Sequence, residues 1–141
     1  MYSAVLIFPS GVLKTITVYS PQSISAILCN PHVDCLTSAD GLVDFWFGLS
    51  STEHRPNRQA TEFLLRNSGF TARTVPLLRG RVIVCSRTVE GRVMGLTATD
   101  LERLRCCSWP SRLGLAWRFK RAQRTFTSRA GEAPVANERR P

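Results

Sequence analysis

The chain has 141 residues, 43% of them hydrophobic, which gives one domain with room for a single modest core and excludes wholesale disorder. Its formal charge is +9, and no run approaches the ~20 apolar residues that span a bilayer. The charge is uneven: residues 1–104 carry ten Lys or Arg against eight Asp or Glu, whereas residues 105–141 carry nine against two.

From the N-terminus, Ala4 to Phe8 is an apolar run, Pro9-Ser10-Gly11 reads as a turn, and Val12 to Val18 resumes extended character. Two strand-like runs joined by a short Pro/Gly loop predict a β-hairpin. Ser20-Pro21 starts a helix, because a proline at the first helical position loses no intrahelical bond. Ile24, Ile27 and Leu28 supply its apolar stripe, and Asn30-Pro31 ends it. Leu42 to Phe47 is the next strand, followed by a polar loop to Pro56. Asn57 caps a helix over Arg58 to Asn67 with Ala60, Phe63, Leu64 and Thr61 inward, and Gly69 stands where a left-handed cap is expected.

Val82 to Cys85 is a short β-branched run that suits a buried strand. Val89 to Arg92 reads as a turn, and Thr97 with Asp100 forms a capping box ahead of Leu101 and Leu104. Cys106 to Pro110 breaks that helix. Leu113 to Phe126 is basic and aromatic, and Thr127 to Pro141 has the composition of a disordered end. The expected architecture is α+β: a small mixed or antiparallel sheet with an N-terminal hairpin, about three helices on one face, and a basic tail. The expected division is a domain over 1–104 and a partly helical, then disordered, tail over 105–141.

Three stretches carry a family resemblance: V-L-I-F-P-S-G-V-L-K-T-I at Val5–Ile16, N-R-Q-A-T-E-F-L-L-R at Asn57–Arg66, and L-R-G-R-V-I-V-C-S-R with G-L-T-A-T-D-L-E-R-L between Leu78 and Leu104. Over Tyr2 to Leu104 the chain resembles the family catalogued as domain of unknown function 3846, small proteins common in actinobacteria, their plasmids and phages. The resemblance implies an α+β module of phage or mobile-element type. It brings no established catalytic residues and does not extend to the tail.

Five cysteines is an odd number, and the N-terminus lacks the basic region and length of a signal peptide, so a cytoplasmic protein with reduced thiols is expected. Cys29, His32 and Cys35, with Cys106 or Cys107, could offer zinc four ligands, but only one irregular cluster is present rather than paired knuckles. Cys85 with His32 or His54 could pair a nucleophile with a base, yet Cys85 lies inside an apolar strand. Neither a phosphate-binding loop nor a serine elbow occurs, so no enzyme activity and no cofactor are expected.

The basic, aromatic stretch is the functional candidate. Arg112, Arg118, Lys120, Arg121 and Arg124 could neutralise phosphates, with Trp117, Phe119 and Phe126 stacking on bases. DNA or RNA is the expected partner. Other readings are an anionic membrane surface, a solvated tail that packs Leu113, Leu115 and Trp117 onto the domain, and a protein–protein module using the aromatic strand Asp44 to Phe47. A Cys/His metal-binding protein is the remaining alternative.

Overall fold

The computed structural model describes residues 1–49, 54–90, 92–96 and 114–125. Its elements are β1 (Tyr2–Ile7), β2 (Leu13–Val18), α1 (Pro21–Leu28), β3 (Val33–Thr37), β4 (Val43–Gly48), α2 (Arg58–Asn67), β5 (Val82–Arg87), β6 (Val93–Met94) and a helix over 114–125, α3. The sheet runs β2-β1-β5-β4-β3 with every neighbouring pair antiparallel, and β6 joins it beside the end of β5. The fold is α+β, as expected. The helix expected from Thr97 and the polar end from Thr127 lie outside the described residues.

The hairpin forms where its turn residues place it. Gly11 takes a φ of 90°, which suits glycine, and Phe8 N donates to Val12 O at 2.9 Å. The register pairs Ala4 with Ile16 and Leu6 with Lys14. Strand β5 then docks on β1, with Val84 opposite Val5 and Val82 opposite Ile7.

The sheet is covered on both sides. Val5, Ile7, Val82, Val84 and Phe45 pack with Phe63 and Leu64 of α2 and with Leu115 and Phe119 of α3. The alternate residues Ala4, Leu6, Ile83 and Cys85 pack with Ile24 and Leu28 of α1. The expectation of all helices on one face is therefore corrected: α1 covers the opposite face. The reason is visible in β1 and β5, which are apolar at consecutive positions and not at alternate ones, the pattern of strands buried on both faces. The hydrophobic core also draws on residues beyond 104, through Leu115 and Phe119.

Two local expectations change. Val33–Thr37, for which the sequence pattern predicts no element, is an edge strand paired with β4 from Val33↔Gly48 to Thr37↔Asp44. Gly69 is not a left-handed cap: α2 ends at Asn67, and its C-cap Ser68 has a φ of −122°. Of the last-turn carbonyls, Asn67 O accepts from Ala39 N at 2.8 Å, and the Asn67 side chain folds back to donate from Nδ2 to Phe63 O at 2.9 Å. The left-handed cap occurs instead at the end of α1, on Cys29.

One polar knot fixes α2 against the sheet. Asn57 is fully buried, and its Nδ2 donates to Ile7 O at 3.0 Å and to Gly80 O at 2.7 Å. Its Oδ1 accepts from Ala60 N at 3.1 Å, and its own amide donates to Leu78 O at 2.7 Å. Thr61 Oγ1 donates to Asn57 O and accepts from Leu78 N. Asn57→Ala strands two buried carbonyls and one helix amide, and at about 1–3 kcal/mol per orphaned group urea unfolding is expected to show a loss of about 3–5 kcal/mol. Asn57→Asp keeps the acceptor but loses both donors and should also be clearly destabilised. A near-neutral Asp variant would show that the helix cap alone matters.

Candidate nucleic-acid interface

Helix α3 separates its side chains by depth. Leu115 and Phe119 are buried against the sheet and Ala122 is buried with them, at spacings of four and three that put all three on one stripe. Trp117, Lys120, Arg121 and Arg124 are exposed on the other side, also at helical spacing, and Trp117 is 71% exposed. No acidic residue occurs between 114 and 125, so no side chain of the helix itself offsets these cations.

The helix is seated by the loop that follows α2. A Cβ added at Gly114 would come within 2.9 Å of Ala72 Cβ, so the Ala72 methyl packs directly against the start of the helix. Arg118 Nη1 donates to Ala72 O at 2.9 Å and to Val75 O at 2.7 Å. These bonds orient α3 and leave its Trp/Lys/Arg stripe facing solvent.

Of the residues expected to contact nucleic acid, Trp117, Lys120, Arg121 and Arg124 are thus brought together on one exposed stripe. Arg118 is half-buried and holds the loop carbonyls, and Arg112 lies outside the described residues. Phe119, expected to stack on bases, is a core residue, because position 119 falls on the inward stripe with Leu115. Phe126 and Leu113 lie outside the described residues. Of the three residues read as packing onto the domain, Leu115 does so and Trp117 does not.

The competing constellations look different in three dimensions. Among the described residues, no group of three or more His, Cys, Asp or Glu is placed to hold a metal ion; Cys106 and Cys107 lie outside them. Cys29 is an exposed helix cap with a φ of 53°, and Cys35 sits on the edge strand β3. Asp44 is fully buried; it accepts from Thr37 Oγ1 at 2.8 Å and pairs with Arg87 Nη2 at 2.7 Å. Burial, and then the charge of Asp44, pushes the Cys35 thiol up to about 12 and the Cys85 thiol up to about 11. Cys85 is therefore a neutral core thiol at physiological pH, and a nucleophile would need the thiolate. Strand β4, offered as a protein-binding strand, lies between β5 and β3 with Asp44 and Phe45 fully buried.

No protein-family model, no curated protein and no solved structure matches this chain. Among the described residues, no helix is long and apolar enough to cross a membrane.

The two raised thiols fix a pH dependence. In the unfolded chain a cysteine ionises near 9, whereas the folded chain keeps Cys85 and Cys35 neutral to about 11 and about 12. The stability gained by burying neutral thiols is fully present below pH 9 and is lost as pH rises through that window. Urea unfolding at about pH 8, 9 and 10 is expected to show a decline that is flatter in a Cys35→Ala/Cys85→Ala variant. Parallel declines in the two proteins would refute the assignment.

Proposed function

We propose that this chain is a non-enzymatic accessory protein, cytoplasmic and of phage or mobile-element type, that binds nucleic acid through the outer stripe of α3. The observation that carries the reading is the exposed Trp117 in line with Lys120, Arg121 and Arg124, on a helix whose other side is locked into the core. Arginine and lysine neutralise phosphates with release of counterions, and an indole offers a stacking surface to any base. A rigid helix lowers the ordering cost that a disordered basic tail would bear on binding. The phage or mobile-element setting rests on the resemblance over Tyr2 to Leu104.

Point substitutions on the outer stripe test this reading without disturbing the core. A chain ending at Leu104 would lose Leu115 and Phe119 and so would confound binding with folding. For single-stranded oligonucleotides, Arg121→Ala/Arg124→Ala is expected to lower the slope of log affinity against log salt by about 1.4, at about 0.7 per phosphate contact. Trp117→Ala is expected to weaken binding by about 1–3 kcal/mol, the cost of one stacked base. Fluorescence anisotropy across a salt series measures both, and unchanged affinity and slope in the two variants would sink the proposal.

A further inference from the structure

Beside the exposed stripe of α3 lies a groove of about 250 Å³ that no local pattern in the chain foreshadows. Pro9 of the β1–β2 turn, Arg55, Pro56 and Arg58 at the start of α2, and Phe119 and Lys120 of α3 are among its lining residues. The lining carries three cations from two separate segments and no carboxylate.

The groove is built from fixed parts. Gly80 N donates to Arg55 O at 2.8 Å, Pro56 bridges to Arg79, and the next residue is the buried Asn57. Arg58 Nε pairs with Glu62 at 3.0 Å, which orients the guanidinium and leaves its two terminal amines. Arg55 and Lys120 are exposed and form no ion pair among the described residues. Lys120 belongs to both features: it lies three residues from Trp117 on the outer stripe and it borders the groove.

We propose that this groove is a phosphodiester subsite for a single nucleic-acid strand whose neighbouring base stacks on Trp117, so that the strand runs from Trp117 past Lys120 to Arg55 and Arg58. The inference rests on reading α3 as a nucleic-acid interface and names the ligand class more narrowly. A groove that opens to solvent admits a continuous backbone, and its cations match a phosphodiester's charge. Stacking on Trp117 requires a base face that a duplex keeps covered by its neighbours, so the strand is single.

The test compares wild type with Arg55→Ala/Arg58→Gln, in which the glutamine is sized to keep a contact with Glu62 while the charge is removed. The probes are an oligothymidylate and a duplex of equal length, read by anisotropy against salt and by tryptophan quenching. The groove variant should lose roughly tenfold in single-strand affinity, as expected for one charge-assisted bond. Its salt slope should fall by about 0.7, one phosphate, with quenching at saturation retained. Wild type should favour the single strand over the duplex. If the groove variant binds as wild type does while Trp117→Ala and Arg121→Ala/Arg124→Ala are weakened, the subsite is wrong and the α3 interface stands. If wild type binds neither probe, both proposals fall. Preference for the duplex without quenching would overturn the single-strand assignment. Should the double variant melt early, Arg55→Ala, at an exposed position, gives the same comparison.

Discussion

The hydrogen bonds of Asn57 are the constraint on which the rest of the arrangement depends. Its two Nδ2 protons reach the carbonyls of Ile7 and Gly80, which are the end of β1 and the approach to β5. Its Oδ1 starts α2, so one buried side chain joins the hairpin, the central strand and the helix. A buried amide group is tolerated only when its donors and acceptors are satisfied together. Thr61, one turn further on, closes the remaining bonds to Leu78. The same knot holds Arg55 and Pro56 in place and so sets one wall of the groove beside α3.

Helix α3 has two duties that follow from its period. Leu115 and Phe119 close the core over the face that α2 covers, Ala122 is buried on the same stripe, and the opposite side is left to solvent. Arg118 stands at the border, where its guanidinium spans the gap to the carbonyls of Ala72 and Val75. The positive charge of this part of the chain is thereby mounted on an ordered element at fixed spacing. A base or phosphate would meet a preformed surface rather than one that must order on contact.

The opposite face of the sheet ends in a polar group around Asp44. Arg87 and Thr37 satisfy its carboxylate, and the neighbouring thiols of Cys35 and Cys85 are held neutral by burial and by that negative charge. The cysteines of β3 and β5 are packing residues in this setting. The arrangement also accounts for a lone charged residue in an otherwise aromatic strand: Asp44 sits opposite Cys85 in register and receives Arg87 from β5.

Local patterns in the sequence determined much of the framework. The Pro9-Ser10-Gly11 turn, the Ser20-Pro21 helix start and the Asn57 cap on α2 depend on interactions within a few residues, β5 is marked by its β-branched run, and each is where its pattern placed it. The grouping of Trp117, Lys120, Arg121 and Arg124 was likewise readable, because helical spacing alone aligns them. Tertiary structure decided the rest. Val33–Thr37 becomes a strand only by pairing with β4, and its Val-Asp-Cys-Leu-Thr sequence carries no continuous apolar run. Gly69 stays out of the left-handed region because Ala39 and the side chain of Asn67 supply donors to the end of α2. Phe119 and Arg118 were assigned to a ligand by composition, yet the sheet takes the first and a loop's carbonyls take the second. Placing α1 on one face and α2 with α3 on the other, and gathering Pro9, Arg55, Arg58 and Lys120 around one groove, required contacts between segments far apart in the chain, which no local pattern encodes.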